Sequence, residues 1–277
     1  MIYCLVRFAQ IQSKMYDILR RNNVTIIGEG AKTMVFAHGF GCDQNVWDYI
    51  KDAFSAEYRL ILFDYVGAGK SDLSAYDQKR YSTLDGYAQD IIDIYETLQL
   101  QDTIFIGHSV SSMIGVLVAN RKPSYFKKMI FLGPSPRYLN DEGYNGGFEP
   151  DELDGLFQLM DSNYLGWSQS LAPAIMGNQD QPELGQALTN SFCATDPDIA
   201  RAFARVTFLS DNRSDLAHLR VKSLTLQCSE DIIAPLEVGY YMEQNTPENS
   251  LVIMKATGHC PHMSAPNETI DEIKAFL

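Results

Sequence analysis

The sequence predicts an α/β protein: a mostly parallel sheet with helices on both faces, and an all-helical cap inserted between two of its strands. Three observations carry that prediction. Short apolar, β-branched runs such as 103–106 show no polar alternation, which is the pattern of strands covered on both faces. These runs alternate with stretches of helical periodicity, the order that builds parallel sheets. From 135 to 208 the strand-like runs stop, and helical segments are punctuated by Gly146-Gly147, Pro150, Pro173, Pro182 and Pro197.

Taken in order, 24–27 and 33–37 read as strands, and 46–54 as a helix. A strand at 59–64 follows, then Gly67-Ala68-Gly69-Lys70-Ser71. That ending is not a phosphate loop, because Asp64 stands where the motif needs its first glycine. Apolar positions 84, 87, 88, 91, 92, 95 and 98 keep helical spacing, and Ser82 with Asp85 makes a capping-box start. The run 103–106 breaks through Gly107-His108-Ser109-Val110-Ser111 into a helix over about 113–121. This is a nucleophile elbow, a strained strand-to-helix turn that pushes a serine hydroxyl out above the sheet. The strict pattern ends in glycine, so Ser111 is a departure, read here as a tolerated small residue. Strands at 128–132, 223–228 and 251–254 and a helix at 267–277 complete the core. The boundaries are therefore core 17–134 and 209–277, cap 135–208, and an N-terminal extension 1–16.

A chain of 277 residues, 45% of them hydrophobic, can bury one large core. A net charge of −13 without a basic run argues against nucleic-acid binding. Five cysteines without a C-x-x-C pair point to reduced thiols in a cytoplasmic protein, and the apolar start 1–7 is too short to span a membrane. No residue pattern asks for a metal or a cofactor.

A serine hydroxyl needs a base to become a nucleophile, and the base needs an orienting group. With Ser109 at the elbow, the acid is expected after a late strand and the histidine after the last one. Asp231 and Glu230 both follow the strand at 223–228; Asp231 is favoured as the shorter carboxylate further from the strand. His259 follows Gly258 directly at a strand end and is favoured over His262. Donors for a developing oxyanion come from the Val110 N–H at the elbow and the Phe40 N–H of the His38-Gly39-Phe40-Gly41 loop. His38 and His108 read as structural and His218 as a surface residue. Cys260 has no base and orienter of its own.

Together these residues resemble the α/β-hydrolase family. The resemblance runs over roughly 17–277, through 38–44, 63–67, 83–90, 107–110, 133–136, 146–149 and 258–264. Within the family they are similar to the RsbQ-type regulators of the general stress sigma factor in Gram-positive bacteria. The plant karrikin and strigolactone receptors resemble this group too. The resemblance implies a slow serine esterase acting on a small, apolar, ester- or lactone-like ligand. It implies a signalling role, with a PAS-domain serine phosphatase as partner. It also places pocket aromatics at Phe40, Phe148, Trp167 and Phe208. A stand-alone metabolic esterase is the alternative.

Overall fold

The computed structural model describes residues 17–277, so the extension expected over 1–16 lies outside the described residues. The core is one seven-stranded sheet of β1 (Thr25–Ile27), β2 (Lys32–Ala37), β3 (Tyr58–Leu62), β4 (Thr103–His108), β5 (Phe126–Leu132), β6 (Ser223–Glu230) and β7 (Asn249–Thr257). Their spatial order is β1-β3-β2-β4-β5-β6-β7. Only β1 is antiparallel, at the edge against β3; the other pairings are parallel. This is the α/β-hydrolase fold that the sequence predicts.

Alternation along each strand feeds two cores. On β2, Met34 and Phe36 pack on one side of the sheet, and Val35 and Ala37 on the other. Helix α1 (Leu84–Leu98) covers the second side with Leu84, Tyr87, Ala88, Ile91 and Tyr95, all buried. Each fully buried isoleucine there contributes about 1.5–3 kcal/mol by leaving water. The expected capping box is absent. Thr83 is the N-cap without a side-chain cap bond, while the Ser82 hydroxyl donates back to the Lys79 carbonyl at 2.9 Å. The helix expected at 46–54 is instead two 3-10 segments, Gln44–Tyr49 and Lys51–Ala53. The tighter winding turns Trp47 under Phe36, with ring centroids 5.2 Å apart.

The Gly67–Ser71 turn wraps a carboxylate rather than a phosphate: the Lys70 N–H donates to Asp64 Oδ2 at 2.9 Å. Helix α2 (Val110–Arg121) follows the elbow. Four helices, α3 (Pro150–Ser162), α4 (Tyr164–Met176), α5 (Pro182–Ala194) and α6 (Pro197–Phe208), lie between β5 and β6. Three of the prolines that punctuate this stretch begin helices, where a missing N–H costs nothing. Pro173 instead lies inside α4.

Register brings the loops of the site to one edge. Ala37 pairs with Gly107, and His108 with Leu132, so the loops after β2, β4 and β5 leave the sheet together. Glu230 pairs with Thr257, so Asp231 and Gly258 begin adjacent loops. From β2 the chain passes first to β3 on one side and later to β4 on the other. That reversal opens the crevice in which open α/β sheets hold their ligands.

Candidate active site

Ser109 has φ 56° and ψ −126°, a strained conformation for a residue with a side chain, and its N–H donates to the Leu132 carbonyl at 2.8 Å. The hydroxyl that this turn projects meets His259: Oγ lies 2.8 Å from Nε2. On the far side of the ring, Nδ1 lies 2.7 Å from Asp231 Oδ2. Both partners are withdrawn from water, with side-chain exposures of 5% for His259 and 0% for Asp231. Asp231 Oδ1 also accepts from the Ile233 and Ala234 N–H groups at 2.8 and 3.1 Å, which fixes the carboxylate. Glu230, its sequence neighbour, is exposed.

His262, the competing histidine, is buried between the Trp47 and His108 rings at 4.7 and 4.6 Å, and neither ring nitrogen has a partner. Burial pushes its pKa down to about 3, so it stays neutral. His108 is held well below the ordinary histidine range, again chiefly by burial. Its Nε2 lies 2.8 Å from the His259 carbonyl, so it anchors the backbone of the histidine facing Ser109. His38 is buried, and its Nε2 accepts from the Tyr65 N–H at 3.3 Å. His218 is exposed.

The Phe40 and Val110 N–H groups make no hydrogen bond to another described residue, which leaves both available as donors. The loop carrying Phe40 is tied to the elbow by a side chain that the sequence reading treated as merely small. Ser111 Oγ donates to the His38 carbonyl and pairs with the Tyr65 hydroxyl at 2.9 Å. Nothing in the sequence near Tyr65 announces this bond, which spans 46 positions.

The cap meets the site through backbone. The His259 N–H donates to the Ile175 carbonyl at 2.9 Å, and the Asn178 amide bridges the Met176 and Thr257 carbonyls at 2.6 and 3.0 Å. Gly258, at φ +80°, is required here, since a Cβ would collide with the Met176 carbonyl.

Ser109 and His259 open into a narrow cavity walled by Phe40, Leu188, Phe192 and Phe208 among others. Tyr138, in the irregular segment after β5, sends its hydroxyl to 3.3 Å from Ser109 Oγ. It too was not legible as a site residue. Of the expected pocket aromatics, Phe40 and Phe208 line the cavity. Phe148 stands behind Phe208, with centroids 5.8 Å apart, and Trp167 stacks on Phe192 at 5.8 Å. Cys42 and Cys260 also border the cavity, but burial pushes the Cys42 thiol up to about 12 and the Cys260 thiol well above its usual value. Neither supplies a thiolate. No cluster of metal-ligating side chains occurs among the described residues.

Known proteins are similar to this chain over nearly its whole length. The karrikin insensitive 2 receptor CA of Petunia hybrida is 40% identical over 250 residues, covering 90% of this chain and 93% of that protein. Strigolactone esterase D14 of Arabidopsis thaliana is 38% identical over 263 residues, covering 95% and 98%. The structure of a hydrolase from Oleispira antarctica superposes with a TM-score of 0.92 at 42% identity, covering 95% of this chain and 96% of the other. The model of the alpha/beta hydrolase family matches residues 34–272, and with relatives this similar over nearly their whole length the chain belongs to that family.

Proposed function

We propose that this protein is a serine hydrolase of small, largely apolar esters or lactones. The observation that carries the reading is the unbroken chain from Ser109 Oγ to His259 to Asp231, at 2.8 and 2.7 Å, on the floor of an apolar cavity. His259 Nε2 takes the hydroxyl proton as Ser109 Oγ attacks the carbonyl carbon, and Asp231 stabilises the imidazolium that forms. The Phe40 and Val110 N–H groups receive the oxyanion. Collapse of the tetrahedral intermediate expels the alcohol, which leaves with the proton from His259. Water activated by the same base then releases the acid. The Tyr138 hydroxyl, beside Ser109 Oγ, helps hold the nucleophile in place.

The test is hydrolysis of p-nitrophenyl butyrate. Ser109→Ala and His259→Ala each abolish it, and the double variant is little worse than either single, because members of such a unit do not contribute additively. His262→Phe keeps the activity. Hydrolysis that survives in Ser109→Ala would end this reading.

A signalling role extends the proposal. Its support is that relatives about 40% identical over most of their length are named as receptors. In this reading, occupancy or turnover of the cavity in the cytoplasm is passed to a partner. The partner that the sequence resemblance implies is a PAS-domain serine phosphatase acting on the general stress sigma factor. A metabolic esterase would need no partner and would turn over simple esters quickly.

A further inference from the structure

Buried hydroxyls in the helices over the sheet normally satisfy themselves. Ser168 on α4 donates to the Tyr164 carbonyl at 2.8 Å, and Thr189 on α5 to the Gly185 carbonyl at 2.8 Å. Both are the i−4 back-bonds expected of a hydroxyl within a helix. Thr207, in the last turn of α6, is the exception among the described residues of α3 to α6. It is 1% exposed, its Oγ1 has no hydrogen-bond partner, and its side chain borders the cavity that holds Ser109 and His259. Much of that cavity's wall is apolar, with Phe40, Ile175, Leu188, Phe192 and Phe208 among its residues. An unsatisfied buried hydroxyl destabilises the fold unless something pairs with it, and the space that Thr207 borders is the cavity.

We propose that Thr207 is a specificity-determining residue that hydrogen-bonds a second oxygen of the ligand, a carbonyl or ether oxygen on the acyl part beyond the scissile carbonyl. This rests on the hydrolase reading and narrows its substrate class to oxo- or oxa-substituted esters and lactones. A purely hydrocarbon acyl chain would leave the hydroxyl unpaired, and a site built to pair a polar group discriminates against the analogue that lacks it.

The experiment compares p-nitrophenyl 4-oxopentanoate and 5-oxohexanoate with the ketone-free pentanoate and hexanoate. Wild type, Thr207→Val and Thr207→Ser are measured on all four esters. Valine keeps the shape and removes the hydroxyl; serine keeps the hydroxyl. Wild type favours at least one oxo ester over its ketone-free match in kcat/KM. Thr207→Val loses about 3- to 10-fold on that ester alone, the worth of one neutral hydrogen bond, and Thr207→Ser keeps the preference. Equal changes on oxo and ketone-free esters, or no preference in wild type, would overturn the assignment. Calorimetric binding of the same intact esters to Ser109→Ala and to Ser109→Ala/Thr207→Val separates the two readings. If no ester is turned over, the hydrolase reading fails, and the Thr207-dependent difference in Kd still decides this one. If esters are turned over but the oxo preference ignores Thr207, this inference fails alone.

Discussion

His262 gives the fold an acid-sensitive point whose size follows from its surroundings. The ring is fully buried against Trp47 and His108, and no acceptor or carboxylate reaches either nitrogen, so the charged form has nothing to replace its hydration. Its folded pKa is about 3 and its unfolded value is that of a free histidine, 6.5. Because the folded value is the lower one, the unfolded chain binds the extra proton. Stability is therefore full above about 6.5 and is lost as pH falls through the window down to about 3. At pH 5 the loss is RT ln[(1+10^(6.5−5))/(1+10^(3−5))], about 2 kcal/mol, and any folded value below about 4 gives the same figure. His262→Phe keeps a flat ring against Trp47 and removes the titration. Urea unfolding at pH 7.5 and pH 5.0 measures both proteins. Groups that titrate in both cancel in the difference, so wild type loses about 2 kcal/mol more than the variant between the two pH values. Equal losses, within about 0.5 kcal/mol, would refute the argument that His262 is neutral because it is buried and unpaired.

Two further outcomes follow from bonds and charges around the site. Ser111→Ala strips the Tyr65 hydroxyl and the His38 carbonyl of a buried partner, so denaturant unfolding shows a loss of about 1–3 kcal/mol. Its kcat falls with KM little changed, because the loop bearing the Phe40 donor is no longer held; unchanged stability and kcat would show that the hydroxyl is incidental. On the solvent side of α3, Asp151 and Asp154 are exposed, whereas Glu152 accepts from the Glu149 N–H at 2.9 Å in a capping box. Asp151→Lys with Asp154→Lys therefore reverses surface charge without uncapping the helix. If the proposed signalling role holds, ester hydrolysis is kept while capture of the proposed phosphatase partner weakens, more so at low salt. Capture unchanged from wild type at both salt concentrations removes this face from the interface.

How much of this was legible depends on how local each cause is. Strands such as 103–106 are buried on both faces by the neighbours that any parallel sheet supplies, so their runs of apolar residues declare them. The helix at 84–98 is declared by its own spacing, but its start is not. The Ser82 hydroxyl finds the Lys79 carbonyl within the preceding turn, a local bond that outcompetes the cap. The 44–53 segment winds as 3-10 because Trp47 must reach Phe36, a tertiary demand that no window of sequence contains. In the site the same rule holds. Ser109, Asp231 and His259 each follow a strand end, and the register of the β4–β5, β5–β6 and β6–β7 pairs brings them together. Tyr138, Tyr65 and Thr207 carry no such marker; they reach the site only through the path of a loop or a helix packed above it.

The departure at Ser111 shows what the elbow requires of its sequence. The close approach there is at Gly107, where a Cβ would press on the Phe105 ring and on the Ser111 backbone, so the glycine of the strand end is the one that sterics demand. Position 111 needs only a side chain that does not grow toward β4, and a serine hydroxyl pointing sideways to the His38 carbonyl meets that condition. The substitution then joins two parts of the site that the sheet supplies separately. The nucleophile comes from the end of β4 and the Phe40 N–H from the loop after β2, and these strands share no loop. Through Ser111 the elbow helix grips that loop, as His108 grips the backbone of His259 and the Ile175 carbonyl ties His259 to α4. A displacement of α4 therefore reaches the histidine facing Ser109 through the Ile175 carbonyl and through the Asn178 bridge from Met176 to Thr257. The loop bearing Phe40 is tied to the cap as well, since the Ser191 hydroxyl on α5 donates to the Gly41 carbonyl at 2.8 Å and the Phe40 ring packs on Phe192 and Phe208, so both halves of the site bear on the helices above them.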